Sequence, residues 1–253
     1  MSDTRPLFIA DSCIGGLSVL RSIRTAGNHC DVEFLADYAI NPLGVKPDEA
    51  IAEVAKTWLE HAAQQSETLV IGCNTLSIRF HQFPETQQSH PDLRQVVSMV
   101  NCFEAMIAAE ADAMKGKRVL IIGTSFTASQ PLYPDLLRIG IPEIEIATIA
   151  ATELERSVAR FHPWLEEEVI TPGLRQALQD TDFAVLACTC FPMAERQLKA
   201  LFPTVEFLDP GAYCSSLLDF DTFSSNRKLD LTVTGEVVST SSVSEFAEKY
   251  LSI

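Results

Sequence analysis

The chain has 253 residues, 47% of them apolar and 21% charged, with a formal net charge of −15. Such a length supports one large or two modest domains with a real core, and the acidic balance excludes a nucleic-acid surface, which needs clustered Lys and Arg. No apolar run approaches the ~18–20 residues that span a bilayer, and the opening "MSDTRPLFIADS" carries no basic stretch followed by a long apolar one, so a cytoplasmic protein without membrane contact is expected.

In chain order, "LFIA" (7–10) reads as the first strand, followed at once by Asp11 and Ser12. "VEFLA" (32–36) is the second, and after it "NPLG" (41–44) places Gly44 where backbone N–H groups can approach a ligand closely. A helix is predicted over 47–65, then a strand "TLVIG" (68–72) that ends at Cys73, with Asn74 and Thr75 next. "VVSMV" (96–100) and a helix over 103–115 lead to "RVLIIG" (118–123), which ends at Thr124. "IEIATI" (144–149), a helix over 165–180 and "FAVLA" (183–187) come next, the last running into Cys188, Thr189 and Cys190. "VEFL" (205–208) and "LTVT" (231–234) complete nine strands.

Most of these strand runs are continuous rather than alternating, the pattern of strands covered on both faces. Strands that alternate with helices imply parallel sheets with crossover helices, an α/β protein whose ligands bind beyond the carboxyl ends of the strands. The chain also repeats itself: Cys73 lies 61 residues beyond Ser12, and Cys188 lies 64 beyond Thr124. Two similar three-layer α/β halves, face to face, would set two strand-end thiols on opposite sides of one cleft.

Seven irregularly spaced cysteines, in a chain without a visible secretory signal, argue for reduced thiols. A thiol just before a helix can be activated by the helix N-terminus. Two thiols facing one substrate suit inversion of a carbon centre, where a proton leaves one face and another arrives on the opposite face. Asp11 either caps the first helix or holds a proton for a neighbouring thiol or a substrate ammonium. Ser12, Asn74, Thr75, Thr124 and Thr189 can donate hydrogen bonds to carboxylates. A metal site from Cys188, Cys190 and Cys214 lacks a partnered histidine motif, and Cys188-x-Cys190 is not the Cys-x-x-Cys of redox proteins, though a bridge between these two is a minor alternative. The histidines at 29, 61, 81, 90 and 162 are expected at the surface. No GxGxxG or phosphate-binding loop is present.

These segments together resemble the glutamate racemase family, within the aspartate/glutamate racemase superfamily. "FIADSCIGGLSVLRSI" is similar to its opening Asp-Ser-Gly-x-Gly-Gly segment, "FLADYAINPLG" to its Asp-x-x-x-x-Pro-Tyr-Gly loop, and "LVIGCNTLS" to its Ala-Cys-Asn-Thr-Ala motif. "RVLIIGTSFTAS" resembles Gly-Thr-x-x-Thr and "VLACTCFPMAERQL" resembles Gly-Cys-Thr-His-Tyr-Pro. The resemblance implies two α/β domains, residues 1–97 with 211–253 and residues 98–210, and a cofactor-independent reaction in the cleft between them. It implies that Cys73 and Cys188 exchange the α-proton of glutamate, that Asp11 assists Cys73, and that Ser12, Pro42, Leu43, Gly44, Asn74, Thr75, Thr124, Thr127 and Thr189 hold the amino acid. It implies no metal, a role in making D-glutamate for peptidoglycan, and a homodimer as a possible assembly.

The chain departs from the family pattern at defined places. Cys190 stands where the family has a histidine supporting the second thiol, Cys13 replaces a glycine, and Leu43 replaces the tyrosine of Pro-Tyr-Gly. Ala159 falls where a glutamate is expected, with Glu153 and Glu155 close enough to have taken over. The alternatives are therefore a racemase or epimerase of another amino acid such as aspartate, or a low-activity racemase-like binding or regulatory protein.

Overall fold

The computed structural model describes residues 4–83, 90–161 and 169–252. In chain order the elements are β1 (Leu7–Asp11), α1 (Gly16–Thr25), β2 (Val32–Asp37), α2 (Asp48–Gln65), β3 (Thr68–Ile71), α3 (Asn74–Gln82), β4 (Gln95–Ser98) and α4 (Met99–Met114). They continue with β5 (Arg118–Gly123), α5 (Ser125–Ser129), α6 (Leu132–Gly140), β6 (Glu145–Ala150), α7 (Thr152–Ala159), α8 (Pro172–Gln179), β7 (Phe183–Ala187), α9 (Glu195–Leu201), β8 (Glu206–Leu208), β9 (Leu229–Thr234) and α10 (Thr240–Leu251). All nine predicted strands are present, with no end moved by more than two residues. Of the helix expected over 165–180, residues 165–168 lie outside the described residues, as does His162; Pro172 begins the helix because proline fits its first turn.

Two parallel sheets carry the fold, in the orders β4-β3-β1-β2-β9 and β6-β5-β7-β8. Read from the fourth strand of each repeat, the orders 4-3-1-2 and 8-7-5-6 are the same, so the repeat seen in the sequence is a repeat of topology. The chain then returns to the first sheet, where β9 pairs in parallel with β2 from Val32↔Leu229 to Asp37↔Thr234.

The side-chain period of two sorts the strand residues between cores. Leu7 and Ile9 of β1, and Leu120 and Ile122 of β5, enter one shared core that joins the two halves. Phe8 and Ala10 point the other way, onto α2, whose Ile51, Ala55, Trp58, Leu59 and Ala62 form a helical stripe. Val119 and Ile121 likewise meet Phe103, Tyr133 and Leu137. The handover from β4 to α4 is fixed by a capping box: Ser98 Oγ accepts from the Asn101 N–H, and Asn101 Oδ1 accepts from the Ser98 N–H.

β6 departs from the expectation of strands covered on both faces. It is an edge strand in which Glu145, Ala147, Thr148 and Ala150 are exposed. Its continuous apolar reading came from small and β-branched residues that an exposed edge also tolerates. Among the described residues, no helix is long and apolar enough to cross a membrane.

Candidate active site

Both sheets end at a single cavity of about 350 Å³, lined by the carboxyl-end loops of β1, β3, β5 and β7. Asp11, Ser12, Cys73, Asn74, Thr75, Thr124, Thr127, Cys188, Thr189 and Cys190 all line it, as does the Pro42–Leu43–Gly44 loop. The structure therefore brings every sequence-predicted site residue to one place. The equivalent positions after β3 and β7 bring Cys73 and Cys188 there from opposite halves.

On the first half, Cys73 is the residue before α3, with extended backbone at the helix entry. Its thiol lies 3.5 Å from Ser12 Oγ, which donates to Asp11 Oδ1 at 3.3 Å. Burial, and then the charge of Asp11, hold the Cys73 thiol well above its ordinary range, against the lowering bonds from the Leu76 N–H and Ser12. Cys73 is thus a neutral thiol at rest, and the α3 N-terminus alone does not ionise it.

Asp11 is the last residue of β1 and is 1% exposed. It does not cap α1, whose N-cap is Gly15 without a side-chain bond, so the capping alternative is ruled out. Instead its Oδ1 accepts from the Cys13 N–H at 3.3 Å, and its Oδ2 accepts from Thr189 Oγ1 of the other half at 2.8 Å. Burial pushes its carboxyl up to about 7, against the lowering effect of these bonds. A carboxyl poised there can accept a proton relayed from Cys73 through Ser12.

Gly15 is required by this cross-half contact. A Cβ there would stand against Thr189 Oγ1 and 2.9 Å from Asp11 Oδ2. Gly44 is required on the opposite wall, where a Cβ would lie 2.7 Å from Phe126 Cβ.

On the second half, Ser18 Oγ donates to the Thr189 carbonyl at 2.8 Å and fixes the turn that carries Cys188. Cys190 is fully buried, its Sγ 3.4 Å from Cys13 Sγ. Hydrogen bonds with Cys13 and Cys188, followed by burial, raise its thiol well above the usual range. Cys190 is therefore a neutral neighbour and supplies no base to Cys188. All seven cysteines are free and buried. Cys214 does not join Cys188 and Cys190 at the cavity; its neighbour is Cys102 of α4.

Other loops supply groups that the spacing of motifs did not reveal. Tyr38, Asn41, Phe126, Arg156 and Arg160 also line the cavity. Tyr38 hydroxyl donates to the Ala159 carbonyl at 2.8 Å, which ties the β2 loop to the end of α7. Asn41 Nδ2 donates to Glu155 Oε1 at 3.4 Å. Of the two glutamates near Ala159, Glu155 enters the cavity, buried and raised by that burial, whereas Glu153 is exposed and paired with Arg156 at 2.6 Å. Only a helical reading of 152–159, with Glu155 on the face of Leu154 and Val158, could have separated them.

Asn74 is held by the Tyr133 hydroxyl, which donates to its Oδ1 at 2.6 Å, while the Tyr133 ring stacks on Phe103 at 4.2 Å. Tyr133→Phe leaves that buried acceptor unpaired and is expected to cost about 1–3 kcal/mol. Urea denaturation checks this; an unchanged midpoint would show that Asn74 is held by other means.

No protein-family model matches the chain. A curated glutamate racemase from Hydrogenobaculum sp. (strain Y04AAS1) is 29% identical over 210 residues, 78% of this chain and 75% of that one. The crystal structure of glutamate racemase from Campylobacter jejuni subsp. jejuni superposes with a TM-score of 0.77 at 23% identity, covering 98% of each chain. Escherichia coli glutamate racemase, in complex with L-glutamate and the activator UDP-MurNAc-Ala, superposes with a TM-score of 0.76 at 20% identity, covering 97% of this chain and 95% of that one.

Proposed function

We propose that this chain, a homologue of the glutamate racemases, interconverts L- and D-glutamate without a cofactor by moving the α-proton between Cys73 and Cys188. The observation that carries the reading is the convergence of both strand-end thiols on one amino-acid-sized cavity. One thiolate removes the α-proton from its face of the bound amino acid, leaving a carbanion; the opposite thiol donates its proton to the other face. The first sulfur ends as a thiol and the second as a thiolate, so the stereocentre is inverted and the protons balance.

Cys73 begins as a thiol, and its proton passes through Ser12 to Asp11 before it can act as base. Asn74 and Thr75 open α3, where unpaired backbone N–H groups and the helix dipole favour a carboxylate. Thr189, Ser12 and the Pro42–Gly44 loop complete the holding groups. Thr124, which caps α5, and Thr127 within it also serve; Thr124 Oγ1 accepts from the Thr127 N–H at 3.5 Å.

The two thiols are supported unequally. Cys73 has a relay to a carboxyl, while the neighbour of Cys188 is a thiol in place of the family histidine. A general acid/base group contributes ~10²–10⁴ in rate, so in this reading the missing support of Cys188 slows racemisation in both directions, which share the same two proton transfers. The product, D-glutamate, serves peptidoglycan synthesis in the cytoplasm.

Proton NMR in D₂O tests the assignment. The α-proton signal of glutamate is expected to vanish, with no added cofactor, while that of aspartate persists. Exchange of aspartate but not glutamate would move the substrate, and exchange of neither would remove the racemase reading.

A further inference from the structure

Beside the two strand-end thiols, Cys13, Glu155 and Cys190 bring two sulfurs and a carboxylate oxygen within 4.8 Å of one another. All three line the cavity and are buried, at 3%, 8% and 0% exposure. They come from the loop after β1, from α7 and from the turn after β7, so tertiary folding and not local spacing assembles the cluster.

The separation of the sulfurs is that of two unbonded thiols in contact. Their 3.4 Å is far from the roughly 2.05 Å of a disulfide bond. Two thiolates on one tetrahedral zinc, each about 2.3 Å from it, stand about 3.8 Å apart, so a small outward shift would admit the ion. Sulfur donors select a soft or borderline cation over Mg²⁺ or Ca²⁺, which take oxygen. Glu155 supplies the one carboxylate of the cluster, and Arg156 and Arg160, which line the same cavity, oppose its charge.

We propose that Cys13, Glu155 and Cys190 form a binding site for a thiophilic divalent cation of the Zn²⁺ class, with a fourth position open to the cavity. Each thiol gives up its proton as its Zn–S bond forms, so one aqueous Zn²⁺ enters and two protons leave. The resulting centre of two thiolates and one carboxylate carries one net negative charge. Three protein ligands and an open place are the composition of zinc sites that accept an exogenous ligand. This site needs no assumption about the reaction at Cys73 and Cys188.

Titration of the reduced full-length protein with Co²⁺, and then with Zn²⁺ against a chromogenic chelator, tests it. One ion per chain is expected, with thiolate-to-cobalt charge-transfer absorption, release of about two protons per Zn²⁺, and displacement of Co²⁺ by Zn²⁺. Cys13→Ser and Cys190→Ser are each expected to weaken Zn²⁺ binding at least about a hundredfold and Glu155→Gln about tenfold or more, while the Cys73→Ser/Cys188→Ser double variant still binds. Circular dichroism confirms that each variant is folded. Absence of binding, cobalt spectra without thiolate bands, or loss of the ion only in the Cys73/Cys188 double variant would each overturn the site.

Discussion

Cys73→Ser and Cys188→Ser are each expected to lower glutamate racemisation by at least ~10²–10⁴, because each removes one of two acid/base groups and a hydroxyl cannot replace a thiolate. The two losses have a distinctive signature. With one thiol left, the enzyme can still remove and return a proton on a single face. Each variant should therefore exchange the α-proton of one enantiomer with deuterium while leaving its configuration unchanged, and the two variants should act on opposite enantiomers. Circular dichroism or a coupled enantiomer assay follows inversion, and NMR follows exchange. If either variant still inverts glutamate at an unchanged rate, two-thiol transfer is wrong. The geometry that motivates this is the placement of both thiols in one cavity, from equivalent positions after β3 and β7.

Asp11→Asn is the second large effect, and it reads out twice. Racemisation is expected to fall ~10²–10⁴ because the proton from Cys73 loses its acceptor. Stability should move the other way above neutrality. The folded chain holds the Asp11 proton up to about 7, against 3.8 for a free carboxyl. Folding is thus helped fully below about pH 4 and loses that help as pH rises to about 7, where a buried charge must form. At about 1.4 kcal/mol per tenfold in proton affinity, the swing has an upper bound of about 4 kcal/mol. The introduced amide would keep the shape without the charge: its carbonyl accepts from the Cys13 N–H, and the Thr189 hydroxyl turns to accept from its NH₂ group. The variant should therefore gain on the parent between pH 5 and pH 8 in denaturant titrations. An equal difference at both pH values would mean that Asp11 is not buried as a near-neutral acid.

Much of the fold could be read from the sequence for a simple reason. Parallel strands covered by helices are short continuous apolar runs, and runs such as "RVLIIG" are hard to mistake. The strand-end rule then gave Cys73 and Cys188, since the loops after β3 and β7 must face the ligand side of their sheets. Strand β6 misled because the same residue types suit an exposed edge. The partners of the site were less legible. The Thr189–Asp11 contact spans 178 positions and the Cys13–Cys190 contact 177, and no spacing rule reaches that far. Glu155 was one of two candidates, and only the phase of α7 chose it. Tyr133 was invisible because it acts through Asn74, from a helix that stands behind the cavity wall.

The closeness of Cys13 and Cys190 also constrains how the chain can change. The family pattern pairs a residue without a side chain at the first position with a large ring at the second; here two middle-sized groups share one corner of the cavity wall. A ring introduced at 190 alone would collide with the sulfur at 13, an overfilled interior that typically costs about 1–3 kcal/mol. A bare backbone at 13 alone would leave a void beside the remaining thiol. A single step toward the family arrangement is therefore expected to lower stability more than the joint exchange does. The two positions are thus coupled, and changing them together costs less than changing either alone.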